Sequence, residues 1–269
     1  MSRRAPLAAL VLALALLAGT GAASAGLADR VGATFVLMAD DFVKTFQPVE
    51  GLVVSVDGDT LYLDLGEGRG ARAGQELTIF RKGDEFHHPL TGKALGRFEE
   101  VLGWAQVRRV APLFSEALFV AAAGRTRPRA DDGVRVTRGR MKIAITPVLD
   151  LTQSKADLRR VPYLLATVLE RSKRFQVSDP LAVGELFANG RARVEEVLGL
   201  PARAMRISKT LEVAGWVVPV LLERRGVTYL DATWISAVTG AALFSRRQPL
   251  VPPTAAEEQR FPWEPGVED

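Results

Sequence analysis

The chain has 269 residues, 35 of them Lys or Arg and 31 Asp or Glu, with 48% hydrophobic side chains and no cysteine. This composition supports one large or two ordinary globular cores and excludes wholesale disorder, and the near-even charge argues against a nucleic-acid partner. Without cysteine there is no disulfide framework, no thiolate nucleophile and no lipid-bearing cysteine.

Residues 1–25 read as a secretory signal peptide, with Arg3 and Arg4, an apolar run from Leu7 to Leu17, and the small residues Ala23-Ser24-Ala25 at the cleavage point. A dozen or so apolar residues fall short of the ~20 that cross a bilayer. Cleavage and a periplasmic mature protein without a transmembrane anchor are therefore expected. Over 26–48, Leu27, Val31, Phe35, Met38, Phe42 and Val43 recur at helical spacing, which predicts an amphipathic helix packed on the domain that follows.

From Gly51 the period changes to two. VVSV, the turn Asp57-Gly58-Asp59 and TLYLDL read as a hairpin. ELTIFRK, VLGWAQVRRV, SEALFVAAA and the short closing VRVTRG supply further strands. Short strands with Gly-rich turns and no intervening helix predict a small antiparallel β-barrel over 49–138.

Residues 139–249 alternate strand and helix. MKIAITPVLDL is nearly continuously apolar, as a strand buried on both faces is. A helix from Asp157 to Lys173 follows, then the strand RFQVSD and a helix opened by Pro180. Ala192 to Leu200 and Pro201 to Ala214 read as two more helices, and WVVPVLLERRG, VTYLDATWISAV and AALFSRR as three closing strands. The fold class is thus α+β: an N-terminal helix plus a small antiparallel β-barrel, then a mixed α/β sandwich domain. Residues 250–269, with four prolines, read as a flexible tail.

Candidate chemistry centres on HHPLTGKALG, which holds the two histidines His87 and His88. Adjacent side chains on an extended segment point to opposite faces, so one metal ion does not readily take both. A phosphate loop needs Gly at position 87 and Ser or Thr after the lysine, where His87 and Ala94 stand. The adjacent acids Asp40-Asp41, Glu99-Glu100 and Asp131-Asp132 read as solvated faces or loops, because a catalytic dyad draws its carboxylates from different elements. No catalytic, cofactor-binding or metal-ligating residue is assigned, and no cofactor is expected. Trp104, Trp216 and Trp234 fall on strands as core residues, whereas Trp263 lies in the tail.

Leu90-Thr91-Gly92-Lys93-Ala94-Leu95 is echoed by Val238-Thr239-Gly240-Ala241-Ala242-Leu243. In both, Gly follows Thr between extended segments, where it supplies the positive φ of a hairpin turn. Thr91-Gly92 is therefore read as a turn stiffened by Pro89, with residual value as a contact surface.

The stretch from Gly51 to about Val120 resembles the carboxy-terminal barrel domain of flagellar assembly protein T in its turn glycines and its Pro-x-Thr-Gly before Leu-Gly. KIAITPVLDL, ERSKRFQVSDPLAVGEL and AVTGAALFSRR resemble the amino-terminal domain of TolB, the curli secretion lipoprotein and the lipoprotein activators of penicillin-binding proteins. Gly215-Trp216 stands where that pattern has Gly-Ala-Asp, the lipid-bearing Cys is missing, and the domain order differs from the flagellar protein. These resemblances imply a non-enzymatic envelope assembly or scaffold protein, flagellar or outer-membrane associated, bound to envelope proteins in a large membrane-associated complex. Regulation of a cell-wall synthase and hydrolysis of an unknown substrate are the alternatives, and a homo-oligomer is a further expected partner state.

Overall fold

The computed structural model describes residues 22–152 and 154–252. Residues 1–21 of the expected leader and 253–269 of the expected tail, with Trp263, lie outside them, whereas leader residues 22–25 fall within the first helix.

Helix α1 (Ala22–Thr45) carries Val31, Phe35, Met38 and Phe42 on one stripe, each no more than 1% exposed, and Phe46 continues it just past the last turn. Then come β1 (Val49–Asp57), β2 (Thr60–Leu63), β3 (Glu76–His87), β4 (Ala94–Val110), β5 (Ser115–Ala121) and β6 (Gly133–Val136). They pair antiparallel and close into a ring in the order β1-β2-β5-β4-β3-β6. Alternation fills the ring: Leu61 and Leu63, Leu77 and Ile79, and Ala105 and Val107 point inward together. Asp57 pairs with Thr60 across the two-residue Gly58-Asp59 turn, and Gly58 has a φ of 58°.

The remainder is a second sheet with helices on both faces. Its elements are β7 (Met141–Ile145), β8 (Leu149–Asp150), α2 (Val161–Arg171), β9 (Phe175–Val177), α3 (Pro180–Ala188), α4 (Val194–Gly199), α5 (Pro201–Leu211), β10 (Gly215–Arg224), β11 (Val227–Ser236) and β12 (Ala242–Pro249). The strand order is β12-β11-β10-β7-β9, and β8 also pairs with β10. Helix α2 starts at Val161 rather than Asp157, with Pro162 in its first turn, where a missing N–H costs nothing. Asp179 caps α3 by accepting a hydrogen bond from Leu181 N at 2.9 Å.

Pro219 interrupts the pairing side of a central strand. The carbonyls of Val217 and Leu221 accept bonds from Thr146 and Leu151 on the β7–β8 side, so Pro219, two residues from each, faces the gap between β7 and β8. Its missing N–H is lost where no strand lies opposite.

The α1 stripe does not pack on the domain that follows it, as its position in sequence suggests. It packs with α2 on the far sheet, against Val217, Leu221, Leu230 and Trp234. The opposite face of that sheet, with Ala144, Trp216, Val218 and Ile235, is covered by α3, α4 and α5. The ring is therefore spliced into the chain between a helix and the sheet that the helix covers. Arg174 fixes the splice, donating from Nε to the Phe46 carbonyl at the end of α1 and from Nη1 to the Gly139 carbonyl (2.5 Å) where the ring returns the chain. It is 7% exposed, and burial lowers its pKa. Leu250 and Val251, the first residues of the expected tail, are buried against α1.

Candidate functional site

Beyond Phe80 on β3 and Gly103 on β4, the two strands leave the ring and continue as a two-stranded arm. Nearly every residue on it is exposed, including Phe86, Leu90 (90%), Leu95 and Phe98 (63%). Phe86 and Phe98 pack together with ring centroids 5.0 Å apart. The sequence does not show this arm. With neither face buried there is no apolar–polar alternation to mark residues 94–100 as a strand.

The histidines sit at its tip. His87 ends β3 and is exposed; His88 is folded into the turn, its Nδ1 accepting bonds from Leu90 N (3.2 Å) and Thr91 N (3.3 Å). The Thr-Gly echo extends to this geometry. Ser236 Oγ accepts from Val238 N (3.0 Å) and Thr239 N (3.1 Å), while Gly92 and Gly240 have φ of 64° and 67° and donate to the His88 and Ser236 carbonyls, both at 2.9 Å. His88 therefore plays the part of a capping serine. One copy of the turn is exposed at the arm tip; the other is half-buried where the ring meets the second sheet, with Ser236 and Gly240 buried.

That junction is polar and specific. Gln106 Nε2 donates to Glu76 Oε2 (2.8 Å) and Thr239 Oγ1 (2.9 Å), and Ser236 Oγ donates to Glu76 Oε2 (2.8 Å). Beside it runs a groove of about 1230 Å³, with Trp104, Met141 and Val238 on its walls and Arg140, Lys142, Arg206 and Lys209 around it. Burial pushes the Glu76 carboxyl above its ordinary value, and the bonds from Gln106 and Ser236 offset part of that rise. The folded chain thus holds this proton more tightly than the unfolded chain does. The associated stability is complete below the ordinary glutamate range and is lost as pH rises through the raised folded value. Urea titrations between pH 4 and 7 are expected to show this falling slope in the native chain, and Glu76→Gln is expected to flatten it; an unchanged slope would contradict the assignment.

The acid pairs do not converge. Asp40 pairs with Lys44 (3.7 Å), Asp41 with Arg246 (2.7 Å), Glu99 with Arg135 (2.5 Å) and Glu100 with Arg125 (3.0 Å). Asp132 is gripped by Arg81 through both oxygens (2.8 and 2.7 Å), fixing the loop before β6, and Asp131 beside it has a φ of 71°. Asp40, Asp41, Glu99, Glu100 and Asp132 are each committed to a separate cation. Among the described residues no group of three or more His, Asp or Glu gathers as a metal-holding set, and no helix is long and apolar enough to cross a membrane.

Trp216 and Trp234 are fully buried, whereas Trp104 is half-buried on the groove wall. Trp216 donates to Ser208 Oγ at 2.7 Å.

No protein-family model and no curated protein matches the chain. Among solved structures it is similar to the LpoB C-terminal domain from Escherichia coli (TM-score 0.35, 11% identity, 43% of this chain and 86% of that one). The same domain from Salmonella enterica gives 0.34 and 9%, covering 42% and 84%. Lipoprotein GNA1162 from Neisseria meningitidis gives 0.31 and 17%, covering 41% and 79%. The resemblances to flagellar assembly protein T and to TolB gain no support from these matches.

Proposed function

We propose that the protein is a non-catalytic binding protein of the cell envelope that engages a partner protein through the β3–β4 arm. The observation that carries this reading is the set Phe86, Leu90, Leu95 and Phe98, exposed on an arm that belongs to none of the hydrophobic cores. A two-stranded ribbon with free edges and apolar side chains is costly to leave in water and well made for docking. Envelope placement rests on the leader-like first 25 residues. An assembly or scaffold role is the main reading. Regulation of a cell-wall synthase is the second, supported by the sequence pattern shared with the activators of penicillin-binding proteins.

The double variant Phe86→Ser/Phe98→Ser tests the arm. Because neither ring enters a core, folding stability is expected to change by no more than about 0.5 kcal/mol, while in-cell photo-crosslinks from position 95 to envelope proteins disappear. Undiminished crosslinking would remove the arm from the interface. For the second reading, synthase activity is measured with saturating purified protein, and no change in rate rejects it.

A further inference from the structure

The parallel strands β9, β7 and β10 leave a crevice at their carboxyl ends. From β7 the chain passes through α2 to the neighbour on one side, and from β9 it returns through α3, α4 and α5 to the neighbour on the other. The helices consequently lie on opposite faces of the sheet, and their first turns part beyond the end of β7. Crevices of this origin are where open α/β sheets take ligands. Here the cleft measures about 600 Å³ and is walled by Val148, Leu158, Pro162, Tyr163, Leu181 and Phe187. Leu181 is 58% exposed and Tyr163 43%. At the mouth, Arg159 holds the Asp157 carboxyl down to about 2.

The chain itself passes close by. Strand β12 runs antiparallel to β11, and β11 antiparallel to β10, so β12 ends at the same sheet edge on which the cleft opens. Val251 is pinned there: its N–H donates to Thr34 Oγ1 at 3.0 Å, and its carbonyl accepts from Arg30 Nε at 2.8 Å. The adjacent Asp29 pairs at 3.5 Å with Arg160, the neighbour of Arg159. Two side-chain contacts thus lead from the exit of β12 to the cleft wall.

Beyond Pro252 the sequence continues PTAAEEQRFPWEPGVED. Phe261 and Trp263 come ten and twelve residues after Val251, a reach of up to ~33–43 Å for extended chain. They flank Pro262, with Glu257, Glu258 and Glu264 nearby. An aromatic–proline–aromatic cluster complements the apolar walls of the cleft, whose charged lining residues are Asp157, Arg159 and Glu185. We infer that the cleft between α2 and α3 receives the Phe261-Pro262-Trp263 segment of the same chain. Proline between the two rings reduces the conformational freedom lost on docking. The cleft is then a site with a resident occupant, distinct from the β3–β4 arm.

The test places a photo-crosslinking phenylalanine analogue at position 263 of the full chain, irradiates it at high dilution and maps the products by mass spectrometry. Intrachain cross-links to residues 156–188 are expected, and their loss in Leu181→Glu. Cross-links between two chains would assign the cleft to a second copy; cross-links elsewhere, or none, overturn the proposal. A second readout does not depend on that variant folding. The emission of the native chain minus that of Trp263→Phe isolates Trp263, which is expected to be blue-shifted and shielded from iodide. Emission as red and as fully quenched as that of a free peptide of residues 253–269 contradicts docking.

Discussion

Phe46→Ala is expected to cost about 3–5 kcal/mol of folding free energy, the range for emptying a fully buried aromatic site. Phe46 stands one residue past α1, yet its ring lies 4.2 Å from Trp234 and 5.9 Å from both Phe175 and Phe244. These partners come from β11, β9 and β12, so the loss falls on the second sheet. The ring core contains none of them. Denaturant unfolding followed by tryptophan emission measures the cost. A change under about 1 kcal/mol would mean that α1 does not complete the second core.

Gly215→Ala is expected to cost about 1–3 kcal/mol through overpacking. A Cβ there would stand 2.3 Å from Trp234 Cζ2 and 2.9 Å from the Ile235 carbonyl. The indole cannot swing aside, because Phe46 backs it. The two substitutions should therefore couple: removing the Phe46 ring gives Trp234 room to shift, so Gly215→Ala costs less in the Phe46→Ala background. A double-mutant cycle measures the difference, expected at about 0.5–3 kcal/mol for residues sharing one neighbour. Strict additivity would show that Trp234 does not transmit the strain.

Glycine before tryptophan at 215–216 also departs from the Gly-Ala-Asp of the resembling families, and its environment gives a reason. Trp216 is buried beneath α5 with its indole nitrogen bonded to Ser208. A carboxylate on that face would need a partner where the structure has an apolar wall.

Where one face of an element is buried, the elements are legible in the sequence. β2, β5, β7 and β9 to β12 follow from alternation or apolar runs, α2 from helical spacing although its start is read at Asp157, and the helices opened by Pro180 and Pro201 from proline at a first turn. MKIAITPVLDL reads as one strand, which the structure divides into β7 and β8. The arm is not legible, since a ribbon exposed on both faces carries no periodic contrast. Nor is the role of His88, which depends on ring and turn folding back on each other; the Thr-Gly echo was the signal that could have shown it. The cleft between α2 and α3 also escaped, because its walls come from three separated segments.

By itself the sequence determined the α+β class, the switch from ring-forming strands to an alternating sheet, and the two Thr-Gly turns, all properties of neighbours in the chain. The tertiary structure alone decided which core α1 completes, how Arg174 clamps the ends of the inserted ring, and which of the two turns is half-buried. An apolar stripe states that it will leave water but not which surface will cover it. That choice is made by the total area and shape available, and here a sheet roughly a hundred residues away offers the better fit.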